Sequence, residues 1–254
     1  MSRFQFAALT LTLVLSCHGL VTRQNNLQSC LSGLQVAFPG DPSYAQLSAP
    51  FNVRLQFSPA AVVGVYALSC LKWNTIDSIF STSVADVQTA VQCGANTQTP
   101  VVARSGGHSY AAYGLGGQDG SLVIDLSALN SITFANNFQQ ATVQTGNRLG
   151  DVGLSLWNNG QRALPHGTCP DVGTGGHTSY GGFGFFSRFG GLLLDRVSSA
   201  QVVLANGTVV TASKDSNSDL FWVRKPSYSI TTSDDVPGGP RSGPFVWYRH
   251  SMGV

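Results

Sequence analysis

Six glycines fall within the twelve residues from Gly173 to Gly184, and this run constrains the fold more than any other part of the chain. Glycine has no Cβ, so it lets a backbone turn sharply and approach a ligand closely. The same density would suit a flexible linker. Here the glycines alternate with His177, Tyr180 and Phe183. A nucleotide cradle needs glycines for close approach and fixed side chains for shape. The run does not fit the dinucleotide fingerprint of a Rossmann fold, which needs a tight strand–turn–helix setting.

Two further stretches carry chemistry. Arg104-Ser105-Gly106-Gly107-His108-Ser109-Tyr110 follows directly on the apolar run Pro100 to Ala103. Consecutive N–H groups in such a Gly-Gly turn form a concavity suited to phosphate oxygens. The plainer alternative is a tight loop with a surface histidine. The other stretch is Pro165-His166-Gly167-Thr168-Cys169-Pro170-Asp171-Val172-Gly173. A cysteine between Thr and Pro, in a glycine-rich loop, is poorly placed for core packing; its plain alternatives are a disulfide partner or a free buried thiol. Zinc with His166 and His177 lacks a second paired ligand, so no metal is expected.

The chain has 254 residues, enough for one large domain or two small ones with a real core. Only 10% are charged and the net charge is +2, with basic residues scattered. That gives no electrostatic footprint for nucleic acid. Arg3 precedes an apolar run from Phe4 to Leu15 and small residues around Cys17 to Gly19. The run is too short to span a bilayer and has the shape of a secretory signal peptide over residues 1–19. The mature chain is expected to be secreted, extracellular, monomeric and free of the membrane. Cys17 leaves with that segment. An oxidising destination favours pairing among Cys30, Cys70, Cys93 and Cys169, and the three possible connectivities stay open.

Residues 20–50 read as a surface segment. Alternation from Phe51 to Phe57 predicts a half-buried strand. Thr82 or Ser83 caps a helix whose Val84, Val87 and Val91 share a face, with Gly94 as its C-terminal cap. With the Pro100–Ala103 strand this makes a βαβ unit. From Ser121 the pattern turns β-rich. Ser121–Leu126 and Ala141–Thr145 alternate, and Val152–Trp157 predicts a short helix. Ser199–Leu204 and Val209–Ala212 flank Asn206-Gly207, a hairpin signal that needs positive φ at the turn. Asn206-Gly207-Thr208 is also an N-glycosylation sequon.

The three glycine-bearing stretches, in this order and spacing, resemble the berberine-bridge-like branch of the vanillyl-alcohol-oxidase flavoproteins, and most closely fungal glucooligosaccharide oxidases. The resemblance covers roughly residues 29–222, interrupted at 64–81. It implies an α+β, PCMH-type FAD-binding domain of two α/β subdomains at 51–222. It implies FAD attached twice, through His108 to the flavin 8α-methyl group and through Cys169 to C6. Arg104, Ser105, Gly106, Gly107, Ser109, Tyr110, Thr168, Gly173, Gly175, Gly176, His177, Ser179, Gly182 and Gly184 would surround the cofactor. Asp195 would approach its adenosine end. The resemblance also pairs Cys30 with Cys93. The implied reaction moves hydride from an alcohol carbon of an oligosaccharide to flavin, with dioxygen reoxidising it to give hydrogen peroxide.

Two segments depart from this pattern. Gly64–Ser81 carries no clear period, and without it Ala60-Ala61-Val62 would run almost directly into the capped helix. It reads as a translated, unspliced intron, the alternative being a lineage-specific loop. Residues 223–254 follow Asp219-Leu220-Phe221-Trp222 with no sustained pattern of either period and read as a non-native tail. The family's substrate domain and active-site base lie beyond that point. The alternative expectation is therefore a catalytically inactive flavin-binding fragment.

Overall fold

The computed structural model describes residues 26–64, 83–223 and 246–253. The first sheet holds β1 (Val36–Ala37), β2 (Ala61–Val63), β3 (Val101–Arg104) and β4 (Leu122–Asp125), in the order β1-β2-β4-β3. β2, β4 and β3 run parallel, and β1 is antiparallel to β2. The short helix α1 (Tyr44–Leu47) precedes β2, and α2 (Val84–Asn96) connects β2 to β3.

β4 is buried at every residue, so the expected alternation over Ser121–Leu126 does not hold. A central parallel strand is covered on both faces and therefore reads as a continuous apolar run. The βαβ unit exists, but its first strand is Ala61–Val63 and β4 inserts between the two strands it joins. Phe51 to Phe57 forms no strand. The Asn52 side chain accepts the Arg54 N–H (3.2 Å) and its carbonyl accepts the Leu55 N–H (3.0 Å). Such local bonds offer the backbone an alternative to a ladder.

Ser83 is the N-cap of α2, and its N–H donates to Asp86 Oδ2 (3.1 Å). Val87, Ala90 and Val91 face inward against Ala61, Val63, Leu122 and Ile124, with Leu27 and Leu31 closing the same core. The helix continues to Asn96 rather than stopping at Gly94. A Cβ on Gly94 would lie 2.1 Å from Val101 Cγ2, so this glycine serves close packing of α2 on β3 instead of a cap. Cys30 and Cys93 form a disulfide across 63 residues of sequence. Closing a loop of that length constrains the unfolded chain by about 4 kcal/mol in the chain-entropy treatment.

The second sheet is antiparallel throughout. It contains β5 (Ile132–Ala135), β6 (Gln140–Gln144), β7 (Val197–Val203), β8 (Val209–Ser213) and β9 (Val246–Gly253), ordered β5-β6-β9-β7-β8. α3 (Leu149–Gly160) follows β6 and is longer than the sequence predicts. α4 (Thr174–Ser179) and α5 (Ser187–Gly190) lie between β6 and β7 in sequence, and α6 (Ser218–Val223) follows β8. The Asn206-Gly207 hairpin forms, with positive φ (81°) at Gly207.

β9 differs from expectation. Residues 223–254 carry no strand period, yet Val246–Gly253 fills the slot between β6 and β7. Met252 lies opposite both Ala141 and Val197 and is buried. The slot has two open backbone edges, and satisfying those hydrogen-bonding groups does not require an alternating side-chain pattern. The proposed signal peptide, the segment holding Cys70 and Trp73, and residues 224–245 lie outside the described residues. Among the described residues, no helix is long and apolar enough to cross a membrane.

Candidate functional site

The first loop leaves the end of β3, where Arg104 stands opposite Asp125 in the parallel register. The two side chains form a buried ion pair (2.5 Å), and Arg104 Nη1 also donates to the Leu47 carbonyl (2.6 Å). The loop therefore starts from a fixed point. Ser105 Oγ donates to the Thr145 carbonyl and accepts the Gly175 N–H (3.1 Å), tying the loop to the end of β6 and to the glycine-rich run. Gly107 takes positive φ (70°), a conformation that glycine adopts without strain.

His108 follows that turn. Phe51 stacks on its imidazole with ring centroids 4.3 Å apart, and the Phe51 ring meets Tyr110 edge-on. Asn52 Nδ2 donates to the Tyr110 carbonyl (2.9 Å). The segment expected to be a strand is thus a flap over the histidine loop.

The second loop holds Cys169 exposed and outside any disulfide. Its shape comes from neighbours. His177 Nε2 accepts the Gly167 N–H (2.9 Å). That bond needs an unprotonated Nε2, and burial, followed by the nearby His166, lowers the His177 pKa. A Cβ on Gly184 would fall 1.7 Å from the His166 carbonyl oxygen, so the glycine-rich run packs directly under this loop. Gly173 and Gly106 touch backbone to backbone. A Cβ on Gly106 would lie 2.2 Å from Gly173 N, and one on Gly173 would lie 2.1 Å from Gly106 N. The glycine run is therefore an ordered packing element, not a linker.

A cleft of about 700 Å³ opens over these loops. Of the residues the resemblance names around the cofactor, Arg104, Ser105, Gly106, Gly107, His108, Ser109, Gly173, Gly175, Gly176, His177 and Ser179 line it. Tyr110, Thr168, Cys169, Gly182, Gly184 and Asp195 are not among its walls. Asp195 caps the short helical turn Leu193–Arg196, its Oδ2 accepting the Leu192 N–H (2.9 Å). Gly182 and Gly184 support the wall from behind through His177 and His166. Sequence reasoning missed Asp125, Thr145, Arg148 and Phe51, which hold the loops without carrying a recognisable motif. Among the described residues, no group of three or more His, Cys, Asp or Glu gathers to hold a metal ion.

The donor set suits a large phosphate-bearing cofactor. Bare glycine backbone lines the floor, and a Cβ on Gly176 would enter open space. The volume lies in the range of cofactor clefts. Residues 78–213 match the model of the FAD binding domain. The chain belongs to that family. This FAD-binding domain is 42% identical to the chitooligosaccharide oxidase of Gibberella zeae, over 83% of its own length and 40% of the relative's. It superposes on BBE-like 1 of Physcomitrella patens with a TM-score of 0.74 at 36% identity, covering 89% of this chain and 43% of that one. A solved glucooligosaccharide oxidase from Acremonium strictum, described as bearing 6-S-cysteinyl, 8α-N1-histidyl FAD, matches with a TM-score of 0.73 at 32% identity, covering 90% and 42%. The chain thus spans about two fifths of the length of these relatives. That share agrees with the fold, which is the FAD-binding part of the family.

Proposed function

We propose that this domain holds FAD through two covalent links, at His108 and Cys169, as the flavin-carrying part of a secreted oligosaccharide oxidase. The observation that carries the reading is the pair of loops. One places an imidazole in the wall of the cleft, the other leaves a free, exposed thiol, and the two loops touch at Gly106 and Gly173. The Acremonium strictum enzyme's histidyl and cysteinyl attachments match these two residue types.

His108 would hold the flavin through an imidazole nitrogen and Cys169 through its sulfur. When bound, FAD supplies the hydride acceptor for oxidation of an alcohol carbon and the site at which dioxygen is reduced to hydrogen peroxide. The protein's contribution is placement. Phe51 fixes the plane of the His108 ring. Unprotonated His177 holds the Cys169 loop by its Gly167 N–H. Gly176, where a Cβ would enter open space, offers close backbone approach without side-chain obstruction.

A second reading is flavin binding without turnover.

Denaturation of purified protein tests attachment. Flavin colour is expected to stay with the wild-type chain and with Cys169→Ala, and to be released only from the doubly substituted His108→Ala, Cys169→Ala chain. Full release from wild type would refute covalent attachment. Peroxide formation on oligosaccharides separates the two readings.

A further inference from the structure

Arg148 occupies a position that helix rules disfavour. It is the N-cap of α3, with extended φ −94° and ψ 155°. N-caps favour Ser, Thr, Asp or Asn, and the positive end of the helix dipole repels a cation. A residue that breaks a local rule this way is expected to have another task.

Its neighbours supply the task. The backbone around Arg148 is zipped to the segment after Cys169. Leu149 N–H donates to the Val172 carbonyl (2.9 Å), Gly150 N–H to Pro170 (3.0 Å), and Thr174 N–H to Asn147 (3.0 Å). Arg148 itself bridges Gly173. Its side chain then reaches across. Nη1 donates to the Gly106 carbonyl (2.7 Å) and to the Asp171 carbonyl (2.8 Å). Gly106 lies two residues before His108, and Asp171 two residues after Cys169. One nitrogen thus joins both loops at the point where Gly106 meets Gly173. Among the described residues Arg148 enters no ion pair, so its charge is directed at these two carbonyls. Charge-assisted bonds of this kind are about twice as strong as neutral ones.

We infer that Arg148 is a positioning residue that clamps the His108 loop to the Cys169 loop, and that formation of the second flavin link depends on it. The inference rests on the two-link reading of FAD attachment. The clamp itself is a property of the protein alone.

The test compares wild type, Arg148→Ala and Arg148→Lys in the whole chain with two measurements. The first is amide hydrogen exchange. Loss of a charged hydrogen bond is expected to speed exchange roughly ten- to a hundredfold in residues 105–109 and 167–173 together, with β4 unchanged. The second is peptide mass analysis of the linked flavin. Wild type is expected to carry both links, Arg148→Ala mainly one, and Arg148→Lys an intermediate share, because an ammonium retains charge and donors on a shorter, non-planar head. If the alanine variant does not fold, the lysine variant carries both comparisons. Exchange that stays unchanged, or rises in one loop alone, would overturn the clamp. So would both links in wild-type proportion in Arg148→Ala. If wild type carries no linked flavin, the attachment reading fails, and the exchange result alone decides for or against the clamp.

Discussion

The two attachment loops are built by opposite means. The His108 loop grows from a parallel sheet and inherits its position from the buried Arg104–Asp125 pair at the strand ends. The Cys169 loop leaves a helix, α3, rather than a strand. It is held by contributions from distant segments: His177 on the Gly167 N–H, Arg148 on the Asp171 carbonyl, and Gly184 under His166. One loop starts from the core and is then braced by neighbours; the other rests on its neighbours. The difference teaches that the histidine side of the site should tolerate surface changes, and that the cysteine side should respond to changes at several remote positions.

The largest effect should come from Asp125→Ala. It leaves the buried Arg104 guanidinium without its carboxylate, and breaking a buried pair costs about 3–5 kcal/mol. Denaturant unfolding should show that loss, and the His108 loop should fail with the fold. A change below about 1 kcal/mol would mean the sheet does not anchor that loop.

Next is Gly173→Ala, whose Cβ would meet Gly106 backbone at 2.1 Å. Overpacking of this kind costs roughly 1–3 kcal/mol. The loops must separate, so covalent flavin content should fall more steeply than stability. Equal losses would show that the contact serves the fold and not the site.

A smaller, pH-dependent effect belongs to the cysteine side. The His177 pKa is lowered in the folded state, so the unfolded state binds its proton more readily. The contribution is present above the unfolded value near 6.5 and is lost as pH falls through the folded value. Exchange at Gly167 should therefore rise on acidification while β4 stays protected. His177→Asn, which retains an acceptor and has no titrating ring, should flatten that dependence. If wild type and variant respond alike, His177 does not hold the loop.

The smallest effect on stability should be that of Cys169→Ala. The thiol is exposed and outside any disulfide, and surface changes of this kind fall within about 0.5 kcal/mol. Its unfolding midpoint should match wild type when flavin is absent from both. A large shift would give Cys169 a packing role.

Legibility follows the same division. The glycine run, Ser105–Ser109 and the capped helix announce themselves because each rests on local chemistry: positive φ, close approach, or an N-cap. The Cys30–Cys93 pairing came with the resemblance, and the structure forms it. What escaped was held by distance. Arg148 reads as an ordinary surface cation until its two carbonyl partners, 42 and 23 residues away, are placed beside it. Phe51 alternates with its neighbours like a strand residue, but it packs against His108 instead of a sheet. β9 showed no period because both its edges are paired in a slot between two other strands. Asp195 drew attention by its position in the resembling stretch, and its carboxylate closes a local turn.

The most direct test is the intact mass of the denatured, flavin-loaded chain, followed by peptide mapping. The account predicts a mass increased by one FAD, with His108 and Cys169 peptides joined through that single flavin. A chain at its bare mass, with all flavin recovered in the filtrate, would contradict it.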